Sequence, residues 1–137
     1  MPPMPSALDL PDLTGKIVLV VDDNADHLEL LTLYFRMCRA SVVGARAADS
    51  ALGLLRTAKF DLLVADIAMP GKDGIDLIRA VRSSDGPERT IPAVALTGFY
   101  EAYERNPHIA GFDGFIQKPV NPDMLSKLVR NVLRPAS

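Results

Sequence analysis

The chain has 137 residues, of which 48% are apolar and 23% charged, with 15 Lys and Arg against 17 Asp and Glu. That length fits one domain able to bury roughly 68–70% of its unfolded surface without staples. The formal net charge of −2 argues against non-specific nucleic-acid binding and against a basic patch for a membrane surface. Thirteen of the acids are Asp and four are Glu, and Asp favours caps, turns and metal sites over helix faces. A lone Cys38 cannot close an internal disulfide and reads as a small core residue in a reducing compartment. The apolar run Ile17 to Val21 is far short of the roughly 18–20 residues of a spanning helix. No basic region precedes Lys16, so no secretory signal is read and the cytoplasm is expected.

Residues 1–15 carry Pro2, Pro3, Pro5 and Pro11 without a periodic pattern. They read as a flexible N-terminal arm, with Leu8, Leu10 and Leu13 available to dock on the body. The domain proper is expected over 16–134, with a short tail at 135–137. Ile17 to Val21 is a β-branched run stopping at Asp22-Asp23, as in a strand buried on both faces. Asn24 can cap a helix whose inward positions are Leu28, Leu31, Phe35 and Cys38. Ser41 to Ala45 predicts a second strand, and Asp49 or Ser50 opens a helix with Leu52, Leu55 and Ala58 inward.

Leu62 to Ala65 is a third buried run, ending at Asp66. After the Pro70-Gly71 and Gly74 turn comes a helix bearing Ile75, Ile78 and Val81, and then a loop from Ser83 to Thr90. Ile91 to Leu96 is the fourth strand, with Pro92 tolerable only near its start. A fourth helix is expected over 100–110, interrupted by Pro107. Phe112 to Gln117 is the fifth strand, and Asn121 caps a fifth helix with Met124, Leu125, Leu128, Val132 and Leu133 inward.

Five strands alternating with five helices predict an α/β fold: a doubly wound, parallel five-stranded sheet with helices on both faces. Ligands of such sheets bind outside the carboxyl ends of the strands, where the strand order reverses. Asp22, Asp23, Asp66, Thr97 and Lys118 all fall at those ends. In the order 2-1-3-4-5 the three carboxylates converge, and they need either a raised pKa or a divalent cation. An oxygen-only set suits Mg²⁺ and disfavours Zn²⁺. A carboxylate there can accept a phosphoryl group, while Lys118 and the Thr97 hydroxyl stabilise its oxygens. Each residue alone has a plainer reading. Asp22-Asp23 could cap a helix, Asp66 could form a turn, Lys118 could be solvated, and Thr97 could simply end a strand. Their coincidence at four strand ends is what points to a site.

The runs Val20-Val21-Asp22-Asp23-Asn24, Ala65 to Gly74, Ala95-Leu96-Thr97-Gly98 and Lys118-Pro119, in this order, resemble the receiver domain of two-component response regulators. The resemblance spans Lys16 to Leu133 and implies a flavodoxin-like fold. It implies that Asp66 takes phosphate from a histidine kinase or a histidine phosphotransfer protein. It further implies that Asp23 and Asp66 contact Mg²⁺ directly, Asp22 mainly through water, and Ala68 through its backbone carbonyl. Lys118 would pair with the phosphoryl oxygens, aimed inward by a cis Lys118–Pro119 bond. Thr97 and Phe115 would be the switch pair, altering the face formed by the fourth helix, fifth strand and fifth helix, although Phe115 could equally be only an alternating strand residue. The protein is then a monomer or weak dimer and a phospho-accepting regulator, not an enzyme.

Some features depart from that pattern. The Thr97–Lys118 interval is 21 residues, about one shorter than the commoner spacing. Asn106-Pro107 should shorten or displace the fourth helix. Phe99, Tyr100 and Tyr103 make its start aromatic, as a partner surface or as packing, and Phe99 is expected to shield a phosphoryl group from water. His27 and His108 read as surface residues. Nothing after Arg134 is long enough for a DNA-binding or enzymatic output domain. The alternative is a receiver segment of a hybrid histidine kinase, weakly suggested by the lead-in Leu10 to Gly15. A small Mg²⁺ phosphatase fits less well, because its Asp-x-Asp pair is not matched by adjacent Asp22-Asp23. A flavin-binding domain lacks its phosphate-cradling loop.

Overall fold

A computed structural model describes residues 10–69, 73–98 and 111–134 of the chain. Among these residues the strands are β1 (Ile17–Val21), β2 (Ser41–Ala45), β3 (Leu62–Asp66), β4 (Ala93–Thr97) and β5 (Gly114–Gln117). The helices are α1 (Ala25–Met37), α2 (Ala48–Thr57), α3 (Gly74–Arg82) and α4 (Pro122–Val132). The strands form one parallel sheet in the order β2-β1-β3-β4-β5. This is the expected doubly wound arrangement. Leu8, the 70–72 turn, the helix expected over 100–110 with its aromatic residues and Pro107, and His108 lie outside the described residues.

Alternation along the strands explains why their sequences are apolar throughout. Leu19 and Val21 of β1, Leu63 and Ala65 of β3, and Ala93 and Ala95 of β4 pack with Ala51, Leu55, Ile75, Ile78 and Val81 from α2 and α3. Val18, Val20, Leu62, Val64, Val94 and Leu96 point the other way, against Leu31, Phe35, Leu125 and Val129 of α1 and α4. Each central strand therefore feeds two cores, and a polar residue at any of these positions would lose its water without gaining a partner. Between α1 and α4 the buried Tyr34 hydroxyl meets Ser126 Oγ at 2.7 Å.

Helix starts follow their caps. Asn24 Oδ1 accepts from His27 N at 3.0 Å at the start of α1. Asn121 Oδ1 accepts from Asp123 N and Met124 N at α4, where Pro122 occupies the first turn. Asp73 and Asp76 form a reciprocal capping box at α3. Each such cap contributes about 1 kcal/mol.

Leu13, one of the leucines available to dock, does so: it is 4% exposed and its N–H donates to the Cys38 carbonyl at 2.8 Å. Burying that side chain in the α1–α4 core is worth about 2 kcal/mol, enough to tie the lead-in down. Several other local expectations are corrected. Helix α2 opens at Ala48 with no side-chain cap, so neither Asp49 nor Ser50 is its cap residue. Ala58 follows the helix in extended conformation and faces solvent. Met124, in the first turn of α4, is 60% exposed, and the inward stripe begins at Leu125. A 3₁₀ turn at Pro87–Thr90 occupies part of the expected loop, and Pro92 lies just outside β4. Phe112 is buried, but it precedes β5 instead of beginning it.

Candidate functional site

The carboxyl edge of the sheet collects the polar residues. Asp22 and Asp23 follow β1, Asp66 and Thr97 end β3 and β4, and Lys118 follows β5. Parallel register brings them level: Val21 pairs with Ala65, Asp66 with Leu96, and Thr97 with Gln117. One carboxylate oxygen from each of Asp22, Asp23 and Asp66 lies within 4.8 Å of the others. Asp22 and Asp66 are 0% and 2% exposed, whereas Asp23 is half-buried.

The two buried acids are solvated differently by the protein. Asp66 Oδ2 accepts from Lys118 Nζ at 2.7 Å, and Oδ1 accepts from Ala68 N at 3.1 Å. Burial pushes its pKa up, the Asp22 charge adds to that, and Lys118 only partly offsets them; the carboxyl ends above its usual range. Burial also pushes Asp22 up, but its bonds from His27 and Asn24 and the charge of Lys118 outweigh it, leaving that carboxyl below the usual range. Asp22 is thus the settled anion. Of these two, Asp66 is the one whose charge burial disfavours on balance.

Around them, Thr97 is fully buried and its hydroxyl reaches the Ile116 carbonyl of β5 at 3.5 Å, at the outer limit of a hydrogen bond. Phe115, beside Ile116, is 38% exposed. The Lys118–Pro119 bond is cis, as expected. Gly74 explains how α3 closes on the site: a Cβ there would stand 2.4 Å from the Asp66 carbonyl oxygen, so only glycine permits that approach. An oxygen-only cluster of this kind fits a hard divalent cation such as Mg²⁺.

Two residues of the site escape a strand-end reading. His27 is not a plain surface residue, because its Nδ1 contacts Asp22 Oδ2 and its side chain is mostly covered. Its position in the first turn of a helix capped by Asn24 was the available signal, since residues there reach back past the cap. Arg46 donates to the Asp23 carbonyl at 3.1 Å, and nothing in local sequence announces that contact.

A family model for the response regulator receiver domain matches residues 18–130. The chain belongs to that family. An uncharacterized 14.6 kDa protein of Leptolyngbya boryana is 40% identical over 114 residues, 82% of this chain and 86% of the relative. Transcriptional regulatory protein ResD of Bacillus subtilis is 34% identical over 88% of this chain, which spans 49% of ResD. Sensor protein GacS of Pseudomonas syringae is 31% identical over 82% of this chain, which spans only 13% of GacS. Among solved structures, a response regulator from Chloroflexus aurantiacus superposes with a TM-score of 0.81 at 29% identity, covering 88% of this chain and 98% of that one. The receiver domain of the Pseudomonas aeruginosa sensor kinase PA1611 shares the fold, with a TM-score of 0.80 at 22% identity over 89% of this chain and 100% of its own. That protein was crystallised with a magnesium ion in its active-site cleft. Receiver domains of two-component systems thus include both response regulators and segments of sensor kinases, and this chain is homologous to both.

Proposed function

We propose that this receiver accepts a phosphoryl group on Asp66 from a phosphohistidine of a histidine kinase or a histidine phosphotransfer protein. The reading rests on one observation: Asp66 is a buried carboxylate with Lys118 Nζ at 2.7 Å and two further carboxylates within 4.8 Å. An Asp66 oxygen attacks phosphorus, the P–N bond breaks, and its electron pair goes to the imidazole nitrogen of the donor. Lys118 neutralises charge on the phosphoryl oxygens, and the Thr97 hydroxyl donates to one of them. Asp22, Asp23, Asp66 and the Ala68 carbonyl would hold Mg²⁺, which when bound offsets the charge of the phosphoryl oxygens.

Switching follows from the same groups. Thr97 leaves its long contact with Ile116 for the phosphoryl group, and Phe115 turns into the space released. Among the described residues the altered face comprises β5 and α4. Lacking a hydroxyl, Phe115 offers packing alone to that inward state. In this role the protein is a cytoplasmic regulator that turns over only its own phosphate. Among the described residues no helix is long and apolar enough to cross a membrane. The similarity to GacS supports a second setting, a receiver segment of a hybrid histidine kinase in a phosphorelay. In that setting the donor is the phosphotransfer histidine.

Borohydride trapping tests the acceptor directly. After incubation with phosphoramidate and Mg²⁺, reduction should convert residue 66 to homoserine in the peptide map. Reduction at another aspartate, or a stable phosphohistidine at His27, contradicts the assignment.

A further inference from the structure

The contact between His27 and Asp22 is not explained by phosphoryl acceptance itself, and it concerns the least exposed acid of the cluster. Asp22 Oδ1 accepts from Asn24 N at 3.0 Å, while Oδ2 meets His27 Nδ1. Both oxygens are therefore held from the first turn of one helix. That turn is itself fixed: Asn24 Oδ1 accepts from His27 N at 3.0 Å, and the Asn24 carbonyl accepts from Leu28 N at 2.9 Å. An ionised carboxylate is acceptor-only, so Nδ1 carries the hydrogen in this pair. The imidazole consequently restrains the Asp22 carboxylate against rotation, with its oxygens kept beside those of Asp23 and Asp66.

We infer that His27 is a positioning residue for the divalent-cation site, locking Asp22 in the orientation that completes the three-carboxylate cluster. The inference rests on the proposed function above, in which that cluster holds Mg²⁺. Hydrogen-bond partners that orient liganding carboxylates govern metal affinity without touching the ion, and their loss costs about 10–100-fold. His27 does so from α1, an element that contributes no strand-end residue.

The test is calorimetric titration of the full chain with MgCl₂ at one pH, for wild type, His27→Ala and His27→Asn. Asn keeps an N–H donor at the place of Nδ1 and so separates positioning from bulk packing. The expected result is a Kd about tenfold weaker for His27→Ala, with His27→Asn much nearer wild type. A His27→Ala Kd equal to or tighter than wild type overturns the inference, as does equal weakening in both variants. Failure of the wild type to bind Mg²⁺ would instead overturn the metal reading on which the inference stands.

Discussion

Lys118 and Asp66 pair at the carboxyl ends of the strands, and Arg82 and Asp113 pair at the amino ends of β4 and β5. Both are cation–carboxylate contacts, yet their surroundings differ. Arg82 spends Nε on the Gly111 carbonyl at 3.0 Å, one terminal nitrogen on the Arg89 carbonyl at 2.9 Å, and the other on Asp113 at 3.2 Å. Asp113 Oδ2 also accepts from Ala93 N at 2.8 Å. That pair is tied to the backbone at both ends and joins α3, the 3₁₀ turn, β4 and the lead into β5. At the other end, among the described residues, the Lys118 ammonium bonds Asp66 within a cluster of three carboxylates. The first arrangement holds the fold together, and the second leaves charge that a ligand can answer.

Substitution should separate the two pairs. Lys118→Ala should slow phosphoryl uptake from a small donor about 100-fold, the usual scale for losing one charged donor at a transferring group. It should also cost folding stability, because the buried Asp66 carboxylate loses its cation, and that cost should vanish when Asp66 is replaced by Asn as well. Arg82→Ala should act on the fold alone. Losing its backbone and carboxylate bonds should cost about 2 kcal/mol, or about 8 °C in Tm, with the uptake rate of the folded protein unchanged. If both variants lose uptake equally, or if Arg82→Ala is silent in thermal unfolding, the contrast fails.

A smaller effect sharpens the contrast within the acidic cluster itself, in chelator and measured by urea midpoints. Asp66 has a raised pKa in the fold, so its ionised form opposes folding. That penalty grows as pH rises through the window above 3.8, the ordinary value, and is absent below it. Asp22 is depressed, so its ionised form stabilises the fold above 3.8, and that contribution is lost as pH falls through its folded pKa. At neutral pH Asp66→Asn should therefore be more stable than wild type, and Asp22→Asn less stable. Both differences should shrink in acid. Shifts of the same sign at neutral pH would contradict the assigned environments.

Much of this was legible because strand physics is local. A run such as Leu62-Leu63-Val64-Ala65 is apolar at every position only if both faces are covered, and its arrest at Asp66 marks the carboxyl edge. That rule gathered Asp22, Asp23, Asp66, Thr97 and Lys118 at one edge, whereas the role proposed for each came from the resemblance to receiver domains. What stayed hidden depends on how separate elements dock. The His27 contact requires α1 to settle on β1 with its first turn over Asp22, and periodicity does not encode that height. Leu13 was available to dock, but its place in the α1–α4 core depends on the room left there and not on its own segment. Met124 obeys the helical period of its neighbours but sits in the first turn, beyond the sheet.

The central claim is that Asp66 is the group that takes up phosphate. Intact mass after incubation with a small acyl phosphate donor and Mg²⁺ tests it most directly. Wild type should gain one phosphoryl group, lost again on treatment with hydroxylamine, and Asp66→Asn should gain none. An unmodified wild type, or equal uptake by Asp66→Asn, would contradict the account.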